Sequence, residues 1–164
     1  MHALKSPLDQ RAAEQHDPLR VLVIDDEENV AGLIAAILTS AGFVTETAFT
    51  CHDALAKAAA SRFDIVIADI LLPDGDGAVL INELKELCPD AAFVAMTGSN
   101  SKEMEQRVRE QRVVYYLIKP FEYRELLEVF NHIQKRMKKE ENKTRLSLNK
   151  NFFKGMSRFF IRWD

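Results

Sequence analysis

Asp25, Asp26, Asp69, Thr97 and Lys119 are the side chains whose types suit phosphoryl-transfer chemistry, although they lie far apart in the chain. Carboxylates brought together repel one another, so a site built from three of them wants a cation. Oxygen-only ligands with few protein donors suit Mg²⁺, which keeps several waters and favours phosphate co-ligands. An aspartate can attack phosphorus and form an acyl phosphate. A metal ion and a lysine ammonium would neutralise the charge spread over the transferring oxygens. A hydroxyl at Thr97 would donate to one of those oxygens, and Gly98 beside it leaves room for the group to approach. Each residue is weak evidence alone, because acids also favour helix N-termini and aspartate is a common turn residue. Their positions relative to the predicted elements decide the matter.

All five sit at or just beyond the end of a strand-like run. The run Val21-Leu22-Val23-Ile24 precedes Asp25 and Asp26, and Ile65-Val66-Ile67-Ala68 precedes Asp69. Ala92 to Met96 precedes Thr97, and Val113 to Ile118 precedes Lys119. Near-continuous β-branched and apolar runs suit strands covered on both faces. A shorter strand is predicted over Phe43 to Ala48. Between the strands the apolar spacing turns helical. Val30, Leu33, Ile34, Ile37 and Leu38 share one face, and Gly42 closes that helix. Thr50 caps an Ala-rich helix over Asp53 to Ala60. Ala78 to Leu87 follows with Val79, Leu80, Leu84 and Leu87 inward. A polar helix is predicted over Ser101 to Gln111. The last helix runs from Phe121 to about Lys139, with Leu126, Leu127, Phe130 and Ile133 inward, and the charged, turn-free stretch from Glu140 to Leu148 either extends or hinges it. Strict βα alternation predicts an α/β fold, a five-stranded doubly wound parallel sheet with helices on both faces. In such sheets ligands gather at the carboxyl ends of the strands.

A chain of 164 residues is about one domain long. Cys51 and Cys88 stand apart from each other and from histidines, so no disulfide framework or zinc site is expected. The longest apolar stretch, Val30 to Leu38, is too short to span a bilayer, and the N-terminus has no signal-peptide pattern. A cytoplasmic location is the expectation. Three regions are read: a mobile arm over 1–19, a globular body over 20–139, and a basic amphipathic segment over 140–164. Residues 135–164 hold ten Lys/Arg and three acids, a net +7, which against −3 for the whole chain leaves −10 elsewhere. Such asymmetry speaks of partners rather than fold.

With these residues in view the chain resembles the receiver domain of two-component response regulators. The motifs are Val-Leu-Val-Ile-Asp-Asp-Glu (21–27), Asp69 followed by Pro73 and Gly77, Met96-Thr97-Gly98, and Tyr116-Leu117-Ile118-Lys119-Pro120-Phe121. The match runs from about Arg20 to Ile133. The resemblance implies a flavodoxin-like strand order 2-1-3-4-5 and phosphorylation of Asp69 by a sensor histidine kinase or phosphotransfer protein. It implies Mg²⁺ held by Asp26, Asp69 and the Leu71 backbone carbonyl, with Asp25 acting partly through bound water. Lys119 would pair with the phosphoryl oxygens. Thr97 would swing toward the phosphate while Tyr116 turns inward, and the Lys119–Pro120 bond would be cis. The chain would be no enzyme beyond its own phosphorylation and dephosphorylation. One departure is plain: where receivers often carry a Gly-Ala turn before the fifth strand, this chain has Gln111-Arg112-Val113. It bears on the face built from the fourth helix, fifth strand and fifth helix (the 4–5–5 face), through which a homodimer is expected.

The tail has its own pattern. At helical spacing Phe152, Phe153, Met156, Phe159, Phe160 and Trp163 fall on one arc, and Lys150, Lys154, Arg158 and Arg162 on the other. Such a segment packs on its own body or a second subunit, docks on a partner groove, makes peripheral membrane contact, or stays disordered. DNA binding is not expected, because nothing resembles a reading helix with its scaffold. A phosphorylation-independent scaffold, with the tail docking on a membrane or partner, is the alternative function. The downstream partner is not named by the sequence.

Overall fold

The computed structural model describes residues 17–98, 106, 110 and 112–156, with only the main-chain course for 145–156. The chain runs β1 (Arg20–Ile24), α1 (Glu28–Ser40), β2 (Val44–Ala48), α2 (Cys51–Ala60) and β3 (Ile65–Asp69). A short pair follows, β4 (Leu71–Leu72) and β5 (Gly75–Asp76), then α3 (Gly77–Leu87), β6 (Ala92–Thr97), β7 (Tyr115–Ile118) and α4 (Tyr123–Met156). Five strands form one parallel sheet in the order β2-β1-β3-β6-β7. Leaving out the two-residue strands, this is order 2-1-3-4-5. The connections leave β1 toward one edge and β3 toward the other, so the order switches between β1 and β3, where a crevice opens at the strand ends.

The apolar runs explain the centre of the sheet. Val21 to Ile24 and Ile65 to Ala68 have no exposed surface at all. One buried cluster joins Leu22, Ile24, Val66, Ala68, Phe93 and Ala95 to Ala54 and Ala58 of α2 and to Leu80, Ile81 and Leu84 of α3. The alternate strand residues, Val21, Val23, Ile65, Ile67, Val94 and Met96, are buried as well, on the opposite face. At the sheet edge, β2 is more polar. Its Glu46 pairs with Arg20 at 2.6 Å, and an edge strand carrying charge resists pairing with another chain.

Helix ends follow local chemistry. Gly42 has φ +94°, and the N–H groups of Gly42 and Phe43 donate to the carbonyls of Thr39 and Leu38. That is a Schellman closure, which needs a left-handed residue. The Thr50 hydroxyl accepts from Asp53 N at 3.1 Å, and the Asp76 carboxylate accepts from Ala78 N at 2.9 Å.

Several expectations are corrected in detail. Leu33, Val79 and Leu87, placed inward from their spacing, are 63%, 54% and 44% exposed, and Ala31, Ala78 and Ile81 lie buried instead. The small alanines let the helices approach closely and so turn a different stripe inward. β7 begins at Tyr115 rather than Val113, after exposed Arg112 turns the chain with φ 49°. The segment after Asp69, read only as turn, contains the antiparallel pair β4–β5. Of the two courses open beyond Lys139, extension of the helix or a hinge, α4 takes the first. It continues to Met156, passing the 139/140 boundary without a break, and no Pro or Gly lies between Tyr123 and Lys154 to stop it. α4 belongs to a second compact unit, residues 121–164. Within it Leu126, Phe130 and Ile133 are buried, and residues 138–144 are exposed. Residues 1–16 of the N-terminal arm and most of the helix predicted over Ser101 to Gln111 lie outside the described residues.

Candidate functional site

Parallel register brings the strand ends to one edge. Ile24 is level with Ala68, Asp69 with Met96, and Thr97 with Ile118. The residue after each of these ends therefore enters the same crevice. Asp25 leaves β1 with its N–H held by the Ala48 carbonyl at 3.0 Å, and Lys119 leaves β7 with its N–H held by the Thr97 carbonyl at 2.7 Å. The Lys119–Pro120 peptide is cis.

The side chains meet there. Lys119 Nζ donates to Asp25 Oδ2 at 2.6 Å and to Asp69 Oδ2 at 2.5 Å. Asp69 Oδ1 accepts from Leu71 N at 2.8 Å, and Asp25 Oδ1 accepts from Glu27 N at 3.1 Å. Asp25 and Thr97 are fully buried and Asp69 nearly so, while Asp26 is exposed. One carboxylate oxygen from each of Asp25, Asp26 and Asp69 lies within 4.8 Å of the others. Three carboxylates face one ammonium, a formal deficit of two positive charges, and all the donors are hard oxygens. That set fits a divalent cation such as Mg²⁺.

The electrostatics show the strain of this crowding. Burial pushes the Asp25 carboxyl above the usual carboxylate range, while the Lys119 ammonium and the Glu27 N–H pull it back. Burial also works against the Lys119 ammonium, but its hydrogen bonds and ion pairs with Asp25 and Asp69 win and hold it above the ordinary lysine value. The ammonium is thus fully charged at neutral pH and already serves both carboxylates.

The loop after Asp69 is held from two sides. A Cβ built on Gly77 would lie 2.4 Å from Ile70 Cα and 2.6 Å from the Asp69 carbonyl oxygen, so only glycine fits. A Cβ on Gly98 meets nothing within 4 Å. The Asp74 carboxylate accepts from Cys51 N at 2.9 Å and His52 N at 3.3 Å. It thereby ties this loop to the start of α2. Those N–H groups hold the Asp74 carboxyl below its usual value. Burial, with Asp74 beside it, pushes the Cys51 thiol up to about 11, which leaves it protonated and unreactive at neutral pH. The one available signal for Asp74 was its residue type beside Pro73 and Gly75; its partners are 23 and 22 residues away.

The remaining sequence-predicted residues fall as follows. Leu71 lies in β4 with a half-exposed side chain. Tyr116 is half-buried and packs against the hydrophobic cluster, beside half-buried Tyr115. Lys150, Phe152, Phe153, Lys154 and Met156 lie on the helical main chain of α4. Arg158, Phe159, Phe160, Arg162 and Trp163 lie outside the described residues, as does most of the fourth helix of the 4–5–5 face. Among the described residues no helix is long and apolar enough to cross a membrane.

Comparison with known proteins places this geometry. The response regulator receiver domain family matches residues 21–131. A transcriptional regulatory protein, ZraR of Salmonella typhimurium, is 32% identical over 108 residues, which cover 66% of this chain and 24% of ZraR. The chain thus spans about a quarter of that relative's length. A CheY-like receiver domain protein from Methanospirillum hungatei has a similar structure, with TM-score 0.69 and 28% identity, covering 74% of this chain and 98% of that one. A Burkholderia pseudomallei response regulator solved with a phosphorylated aspartic acid, calcium ion and citrate has TM-score 0.65 and 29% identity, covering 74% and 72%. The expectation against DNA binding finds no support here, because ZraR is itself named a transcriptional regulator.

Proposed function

The chain belongs to the response regulator receiver domain family, and on that premise we propose that it is a phosphoacceptor switch whose acceptor is Asp69. The donor is a phosphohistidine on a sensor histidine kinase or phosphotransfer protein. An oxygen lone pair of Asp69 forms the new P–O bond as the P–N bond breaks, and that bond's electrons leave with the imidazole nitrogen. The observation that carries this reading is Lys119 Nζ, 2.5 Å from Asp69 and 2.6 Å from Asp25, at the sheet edge where three carboxylates converge. Asp26, Asp69 and the Leu71 carbonyl would hold Mg²⁺ directly, with Asp25 acting partly through water. Mg²⁺, when bound, supplies the charge that stabilises the transferring phosphoryl oxygens.

The chain's own residues do the rest. Lys119 is positioned to exchange a carboxylate for a phosphoryl oxygen. Thr97, at the end of β6, is one strand position from it and supplies a hydroxyl. A phosphoryl group adds charge and acceptors beside these two residues and biases a two-state element made of Thr97 and Tyr116. Activity is confined to the chain's own phosphorylation and dephosphorylation, and the output is contact with another protein.

The test is to incubate the chain with Mg²⁺ and acetyl phosphate and to record the intact mass beside Asp69→Asn. A gain of one phosphoryl group, absent in the variant and abolished by EDTA, is the expected result. No gain in the folded protein would sink the switch and favour a scaffold that works without phosphorylation.

A further inference from the structure

We propose that the distal part of α4 is a docking surface for anionic lipid membranes. The inference is independent of the phosphoryl chemistry. It begins with the course of the helix: the family match ends at residue 131, yet α4 continues unbroken to Met156. At 100° per residue, Lys135, Arg136, Lys139, Lys143, Lys150 and Lys154 fall within an arc of about 100° and span about 30 Å of axis. Lys135, Arg136, Lys139 and Lys143 are exposed. Lys143 pairs with Glu140 at 3.3 Å, but both are largely exposed, so the pair holds little. Glu140 and Glu141 lie outside the basic arc, Leu146 falls within it, and Phe153 falls at its edge, in line with Lys135.

A second arc adjoins the first. Leu148, Phe152 and Met156 share a separate side of the same helix by position, with Phe153 at the border between the two arcs, and in the sequence the same spacing recurs at Phe159, Phe160 and Trp163. A basic stripe alone suits any polyanion. A basic stripe bordered by large aromatic and aliphatic residues suits an interface in which phosphate headgroups meet acyl chains. Polybasic segments of this density are drawn to anionic leaflets within a Debye length. The rest of the chain carries −10 against +7 for residues 135–164, so an anionic surface attracts this helix and repels the body. The membrane is therefore favoured over nucleic acid, which offers no acyl layer to receive the aromatic arc.

Trp163 is the chain's sole tryptophan, so emission from the native protein reports on the segment directly. The full chain is mixed with phosphatidylcholine vesicles with and without phosphatidylserine, and both flotation and tryptophan emission are read. Expected are at least tenfold more binding and a blue shift with phosphatidylserine, both reduced by added salt. The doubly substituted Lys139→Glu, Lys143→Glu chain loses at least tenfold of this binding. The Phe152→Ser, Phe153→Ser chain loses the blue shift. Far-UV circular dichroism and urea midpoints establish that each variant is folded, and the charge variant stands even if the aromatic one fails. Equal binding to neutral and anionic vesicles, or none, overturns the proposal. So does tight binding to duplex DNA without vesicle binding, or a dimer that forms in place of vesicle binding.

Discussion

The carboxylate site and the basic stripe of α4 are both concentrations of charge, made by opposite means. At the sheet edge, Lys119 meets Asp25 across 94 residues of chain and Asp69 across 50. Parallel register holds them, burial raises the energy of the charges, and one ammonium serves both Asp25 and Asp69. In α4 the charges are near neighbours spaced by the helical repeat alone, and Lys135, Arg136, Lys139 and Lys143 are exposed. The first arrangement is specific and fragile. The second is redundant and tolerant, because removing one lysine leaves the others in place.

Substitutions can break or sharpen this contrast. The largest effect is expected at the shared ammonium. Lys119→Met removes the one cation between Asp25 and Asp69 and should slow acetyl-phosphate labelling by about 100-fold or more, as measured by intact mass against time. Next comes Gly77→Ala. Its methyl would lie 2.4 Å from Ile70 Cα, so main chain must move. A loss of about 2–3 kcal/mol in urea unfolding is expected, together with weaker Mg²⁺ dependence of labelling. Thr50→Ala removes only the α2 cap and should cost about 1 kcal/mol with labelling intact.

Asp74→Ala is subtler and depends on pH. The folded carboxyl lies below its ordinary value of 3.8, so its contribution is fully present above that range and is lost as pH falls through the lowered value. The gap in urea midpoint between wild type and Asp74→Ala should therefore be open at pH 7 and close in acid. A gap that persisted in acid would show that the carboxylate charge is not what ties the loop to α2. The smallest effect is expected on α4, where Lys143→Ala should change stability by less than about 0.5 kcal/mol. A large loss there would mean that the exposed charges of α4 are structural and would erase the contrast.

The same contrast explains what was legible in the sequence. The strands of the sheet centre announce themselves as apolar runs, and each ends on a residue whose chemistry is out of place in a core. That made the edge readable before its contacts were seen. Periodicity placed helices but not their rotation: Leu33, Val79 and Leu87 fit the stripe as well as Ala31 and Ala78, and close approach to the sheet chose the alanines. The tie made by Asp74 was invisible because its partners sit at the start of another helix. The length of α4 was a matter of absent stop signals, which weigh less on the eye than present ones. The departure at Gln111-Arg112-Val113 did leave a mark, in the left-handed φ of Arg112 where a glycine would sit without strain.

The span from Asp25 to Lys119 also has a meaning in time. Chains are synthesised at roughly 5–20 residues per second, so the lysine is made about 5–20 seconds after the first aspartate. From the synthesis of Asp69 until that of Lys119, 50 residues later, the acids at the ends of β1 and β3 exist without their shared counter-charge. A nascent chain that has paired β1 with β3 is thus still held apart at its rim by like charges, and the arrival of one residue closes it. The crevice gains its counter-charge late, after nearly the whole sheet has been made, and a ribosome that stalls before Lys119 leaves a product without it.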